Sequence, residues 1–168
     1  MALADDAYRV RRAAAEDQRA MHMLLRRTWT DTYASFLGRS LVIGVLEGAV
    51  SLAGDWQEEL GPCVGEWIAE RGSRLIGLAA LCARADGDGE LVQLYVLPSH
   101  QRLGVGTALW DECIAESRRQ GWSGTRLWVF ERGPAVRFYR RRGAVFVRRT
   151  TLRLGSHEEA ILGMRFAL

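Results

Sequence analysis

The chain has 168 residues, 48% of them hydrophobic and 26% charged, enough for one globular domain over 1–168 with a sizeable core. No apolar run approaches the roughly 20 residues that a membrane span needs, and the opening MALADDAYRV lacks the basic-then-apolar order of a secretory signal, so a cytoplasmic protein without a membrane partner is expected. The formal charge of +3 rests on 23 basic residues that are all arginine; with no lysine, Schiff-base and lysine-nucleophile chemistry are closed to it.

In chain order, Tyr8–Arg12 reads as a short strand, and Ala14–Trp29 carries Ala20, Met23 and Leu24 at helical spacing. The stretch from Thr30 to Leu60 is loosely helical and interrupted by glycines. Cys63–Glu70 and Arg74–Arg84 then predict two strands joined by a tight turn at Arg71-Gly72-Ser73, and a second turn over Ala85–Gly89 leads to a strand at Glu90–Leu97. Gly104–Gln120 is an amphipathic helix with Leu109, Cys113 and Ile114 on one side. Thr125–Phe130 is a strand, Pro134 opens a short helix that Gly143 ends, and Ala144–Leu154 with Glu159–Ala167 form a closing pair of strands. The expected class is α/β (α+β): a mixed, mainly antiparallel sheet flanked by helices. The cysteines, Cys63, Cys82 and Cys113, are odd in number, far apart and in apolar contexts, so they read as buried free thiols, with neither a disulfide nor a metal site implied.

The stretch QLYVLPSHQRLGVGTALW, Gln93–Trp110, passes from strand to helix through two closely spaced glycines. Glycine at a helix entrance costs stability, and its gain lies elsewhere: the free N–H groups and dipole of a helix N-terminus attract an anion, and a missing side chain lets a phosphate approach the backbone. The spacing is neither GxxxxGK[ST] nor GxGxxG.

Gln101-Arg102-Leu103-Gly104-Val105-Gly106 resembles the [QR]-x-x-G-x-[GA] acyl-CoA loop of the GNAT superfamily of N-acetyltransferases, and ERGPAVRFYRRRGAVFV resembles that family's second signature, A-x-x-F-Y-x-x-x-G, with Ala135, Phe138, Tyr139 and Gly143 in its places. Two departures are visible: Arg132 stands where the family often has asparagine, and Gly143-Ala144 replaces its Gly-Phe pair. The resemblance implies a GNAT-type fold and direct transfer of an acetyl group from acetyl-CoA to an amine, with no metal. It implies that the strand backbone at Leu94, Tyr95 and Val96 holds the pantetheine, and that Gln101, Arg102, Leu103, Gly104, Val105, Gly106, Thr107 and Arg132 contribute to cofactor binding.

Within that resemblance Tyr139 is the expected acid for the departing thiolate, since a phenol can donate to sulfur. Glu90 is the candidate base. Period-two alternation puts it on one face with Val92, Leu94 and Val96, although a glutamate beside an Asp/Gly turn equally suits a solvated edge. Trp29 and Tyr33, four apart on a helix, are candidates to wall the amine site, or core residues. The acceptor is left open between small molecule and peptide, and a homodimer is a possible assembly. A non-catalytic acyl-CoA-binding sensor is the alternative function. Arginine runs at Arg140–Arg142 and Arg148–Arg149 accompany no nucleic-acid-binding module, so nucleic acid is not expected as a partner.

Overall fold

The computed structural model describes residues 7–53 and 60–168. Its elements run β1 (Arg9–Arg12), α1 (Gln18–Leu37), α2 (Arg39–Leu46), β2 (Leu52–Ala53), β3 (Leu60–Arg71), β4 (Arg74–Arg84), β5 (Gly89–Val96), α3 (Val105–Arg119), β6 (Gly124–Phe130), α4 (Val136–Arg141), β7 (Val145–Leu154) and β8 (His157–Ala167). All eight strands join one sheet in the order β1-β3-β4-β5-β6-β8-β7-β2, antiparallel except where β5 meets β6. The mixed, mainly antiparallel architecture expected from the residue pattern is the one observed.

Gly72, at φ 57°, makes the β3–β4 turn, and Gly38, at φ 86°, ends α1, which runs eight residues past the expected end at Trp29. The loosely helical stretch after Thr30 resolves into the rest of α1, then α2 and the two-residue β2, which pairs with Leu154 and Arg153 at the sheet edge. Residues 54–59 of that stretch, like 1–6, lie outside the described residues.

The helices take opposite faces of the sheet. Thr125 Oγ1 on β6 donates to Ser117 Oγ of α3, whereas Phe130, of opposite parity on the same strand, packs against Tyr33 and Phe36 of α1 at ring-centroid separations of 4.8 and 5.6 Å. Two cores result. Trp67, Ile68, Leu78, Leu81, Leu91, Leu109 and Met164 belong to the larger, and Leu37, Val42, Phe130, Leu152, Leu154 and Ile161 to the smaller.

The cysteine expectation is corrected here. Cys63 and Cys82 face each other across the β3–β4 hairpin and are joined as a disulfide, and only Cys113 is free and buried among the described residues. Register brings them together: from Arg71 opposite Arg74 the ladder shifts by one residue between Glu70 and Ala69 and shifts back between Gly65 and Cys63, which sets residue 63 opposite residue 82.

β5 and β6 pair only over Gly89–Leu91 and Thr125–Leu127. Beyond Leu91 and Leu127, β5 follows β4 and β6 follows β8, so the two strands part in a fork. Asp88 ties its closed end: the buried carboxylate accepts from Arg165 Nε (2.7 Å), Arg165 Nη2 (3.1 Å), Ser123 Oγ (3.0 Å) and Arg126 Nε (3.2 Å). The Arg165 hydrogen bonds above all, opposed by burial, pull its pKa down to about 2. An acid held below its unfolded value of about 3.9 stabilises the fold above that value and loses the contribution as pH falls toward 2. Asp88→Asn should therefore lower unfolding stability at pH 7 by about 2 kcal/mol. In urea titrations followed by tryptophan fluorescence, the gap from the parent protein should close between pH 4 and 2.

Candidate active site

The fork exposes main chain on one edge of β5. Leu97 N donates to Ile76 O of β4, so residue 97 faces β4 and, by alternation, Leu94 and Val96 direct their N–H and C=O groups into the opening. Tyr95 is the exception among the three expected contacts, since it opposes Leu78 in the hydrogen-bonded phase and its backbone serves the sheet. At the mouth of the fork, Gln101 Nε2 donates to Val96 O at 3.1 Å, which anchors the loop to the strand.

That loop is conformationally special. Arg102 has φ 63°, the one positive value among the described non-glycine residues, and Gly104 follows at φ 85° as N-cap of α3. Two left-handed residues so close together turn successive N–H groups toward one point, where they add to the first-turn donors of α3. Val105 is buried against Gly77 and offers only its main chain, while Arg102 and Leu103 are exposed. A Cβ at Gly106 would stand 3.6 Å from Phe138 and 3.7 Å from Val96, ordinary contact, so internal packing leaves room for a methyl group but not for a branched side chain's further atoms without displacing a neighbour or filling the mouth of the loop. Thr107 Oγ1 accepts from the Arg142 guanidinium, which also lies over the Phe138 ring at 4.9 Å. Arg142 thus stands beside the first turn of α3, with its Nε buried and unpartnered among the described residues. The sequence reading named it only as part of the Arg140–Arg142 run, although its spacing of four from Phe138 was the available signal. The donor set, main chain plus one guanidinium beside a helix N-terminus, fits the phosphates of coenzyme A.

Tyr139 lies on the α3 face, buried under Trp110 with ring centroids 5.7 Å apart. Burial raises its pKa, with smaller contributions from Tyr95 and Cys113, so the phenol stays protonated well above neutrality. From the other face Tyr33 and Tyr95 approach the same region: the three phenols are near enough to perturb one another's ionisation, and burial raises Tyr33 and Tyr95 as well. Trp29 stacks edge-on against Tyr33 at 5.1 Å, with its buried indole Nε1 beside the Tyr95 phenol. Trp29 and Tyr33 are thus half-buried aromatics that pack against the smaller core on the face of Tyr95.

Glu90 is 1% exposed, which overturns the solvated position. Its expected face is corrected too. Ala80 opposes Gln93 and Leu81 opposes Leu91, leaving Val92 as an extra residue in a β-bulge that shifts the phase, so Glu90 shares its face with Gln93 and Tyr95. The carboxylate accepts from Arg84 Nη1. Burial raises its pKa and exceeds the opposing effect of Arg84. Arg132 is placed away from the loop: its guanidinium pairs with Glu159 and lies over Phe36 at 5.3 Å, fastening α1 to β8.

This arrangement coincides with what the chain is similar to. Residues 19–144 match the model of the Acetyltransferase (GNAT) family. The chain belongs to that family. Its relatives include the uncharacterized N-acetyltransferases Rv2669 of Mycobacterium tuberculosis and Mb2688 of Mycobacterium bovis, each 33% identical over 94 residues, covering 54% of this chain and 59% of the relative. The match thus spans only a little over half the length of these curated relatives. Among solved structures of the fold, Ard1 from Thermoplasma volcanium superimposes with a TM-score of 0.69 at 19% identity, covering 96% of this chain and 98% of that one. YncA from Salmonella typhimurium, solved with acetyl-CoA, gives 0.68 at 19% identity, covering 97% and 95%, and the PaiA N-acetyltransferase from Thermoplasma acidophilum, solved with coenzyme A, gives 0.67 at 17%, covering 95% and 99%.

Gly106 supplies a direct check on this GNAT site. Gly106→Ala should bind coenzyme A within a few-fold of the parent, because the space for a Cβ exists. Gly106→Val should weaken binding by tenfold or more in calorimetry while thermal unfolding shows the fold retained.

Proposed function

We propose that this protein transfers the acetyl group of acetyl-CoA directly to a primary amine of a small molecule or peptide. The observation that carries the reading is the fork: an edge of β5 that does not pair with β6, at Leu94 and Val96, lies between the glycine loop of α3 and a protonated, buried phenol. Acetyl-CoA, when bound, supplies a thioester open to nucleophilic attack. The loop and Arg142 would hold its phosphates, and Leu94 and Val96 its pantetheine arm, with a main-chain N–H oriented to polarise the carbonyl. As the C–N bond forms and the C–S bond breaks, one proton must leave nitrogen and one must reach sulfur.

Tyr139 would supply the proton to sulfur. Because burial holds it neutral, it donates across the whole neutral range. Glu90, kept more basic than an ordinary carboxyl by burial, would take the amine's proton through water, since its carboxylate is engaged with Arg84.

Release of free thiol from acetyl-CoA over a panel of amines tests the reading. Binding of acetyl-CoA without amine-dependent release would instead describe the non-catalytic sensor. Tyr139→Phe should keep acetyl-CoA affinity and lose on the order of 10² to 10⁴ in kcat; parent turnover, with chemistry rate-limiting, removes the phenol from the acid role. Glu90→Gln tests the base. An ionised base is lost as pH falls through its folded pKa, here above the ordinary carboxylate value, so the parent kcat/KM should carry an acidic limb displaced upward. The variant should lack that limb. A profile of unchanged shape would leave Glu90 as the anchor of Arg84 alone.

A further inference from the structure

The Cys63–Cys82 disulfide joins two sulfurs in unlike surroundings: Cys63 is exposed on β3, whereas Cys82 is buried on β4. From the turn at Gly72 the β3–β4 ladder runs, with one shift, through consecutive residues of β3 as far as Gly65 opposite Leu81. Beyond that, Cys63 opposite Cys82 and Leu60 opposite Arg84 are the pairs that remain, with a register shift on either side of Cys63. The residues between explain the thin ladder. Gly61 and Pro62 are exposed, glycine weakens a strand, and proline has no N–H to give to a neighbour. The disulfide is the covalent tie that holds the first part of β3 where hydrogen bonding does little.

On its other side Cys82 stands opposite Glu90 of β5, and directly opposed residues share a face of the sheet. Arg84, two residues along β4, keeps that face and donates to the buried Glu90 carboxylate. The tied part of β3 is thus the strand that flanks the Arg84–Glu90 pair, with Leu60 directly opposite Arg84. A reagent from solvent meets the sulfur of Cys63 first. Cys113 takes no part: it is a free thiol buried on α3, and burial pushes its pKa up.

We propose that Cys63 is a site of thiol–disulfide exchange with low-molecular-weight thiols, and that opening the disulfide releases the first part of β3 from β4 beside Glu90. The thiolate of the incoming thiol attacks Cys63 Sγ. A mixed disulfide forms on Cys63, the Cys63–Cys82 bond breaks, and Cys82 leaves with the electron pair of that bond and takes a proton from water. A second thiol then displaces Cys63 from the mixed disulfide. Two small thiols are thereby oxidised to one disulfide, and the protein disulfide is reduced to two thiols. Burial of Cys82 shields its sulfur and directs the attack to Cys63. The exchange site stands independently of acetyl transfer; its effect on turnover, through Glu90, rests on that reading.

Reduced glutathione is the probe, added without denaturant to the oxidised full chain. Mass spectrometry of acid-quenched samples should find glutathione on Cys63, the new thiol at Cys82, and Cys113 unmodified. Toward an aromatic disulfide, Cys63 in Cys82→Ser should react faster than Cys82 in Cys63→Ser by about tenfold or more. Glutathione on Cys82, equal rates in the two variants, or reduction that proceeds only with global unfolding overturns the exchange site. In the reduced protein, amides of residues 60–64 should exchange hydrogen about tenfold faster while 66–71 keep their protection; unchanged protection at 60–64 overturns the release of β3. In thiol-release assays the Cys63→Ser/Cys82→Ser double variant, which cannot close, should fall in kcat/KM by about threefold or more against the oxidised parent. Equal values overturn the link to Glu90. Should neither protein release thiol with any amine, the acetyltransfer reading fails instead, and the glutathione and hydrogen-exchange results decide the site alone.

Discussion

Two strands that must stay together at one end and apart at the other need a fastener at the join, and Asp88 is that fastener. Its carboxylate gathers Arg126 from β6, Arg165 from β8 and Ser123 from the turn before β6. A parallel contact of three residue pairs has little pairing energy of its own. The charge-assisted bonds hold it closed without extending it, and beyond Leu91 the edge of β5 turned away from β4 does not pair with β6.

Around that opening the two faces of the sheet carry different chemistry. The α3 face brings the left-handed loop, Arg142 and Tyr139, all suited to an anionic thioester. The α1 face brings Tyr33, Tyr95 and Glu90, each with its pKa raised by burial. The Val92 bulge decides which side Glu90 joins: one extra residue in β5 moves it away from the face of Leu94 and Val96 and onto that of Tyr95.

Legibility in the sequence followed the range of the interaction. The glycine loop, α3 and the β3–β4 hairpin were readable because turn chemistry and apolar period are local properties. Trp128 and Arg148 were not, since their contact depends on Gly163 and on β7 register, both set by pairing that no short window records. The face of Glu90 was misread because strict alternation cannot anticipate a bulge. The Cys63–Cys82 pairing lies between these cases. A plain count outward from the Arg71-Gly72-Ser73 turn reaches it only because two register shifts in the hairpin cancel, and the odd number of cysteines pointed away from it.

Apart from His157 beside Glu159, every cation in the described ion pairs is a guanidinium. Guanidinium stays protonated at any physiological pH and presents no lone pair to an activated acyl group, whereas an ε-amine in the same place would be a nucleophile of the kind an acetyltransferase handles. The framework that holds the fork together is therefore inert toward the reagent it would enclose. Self-modification could neither neutralise the charges that fasten Asp88 and Glu90 nor alter the Arg148–Trp128 stack, and the protein would keep its geometry through repeated exposure to an acetyl donor.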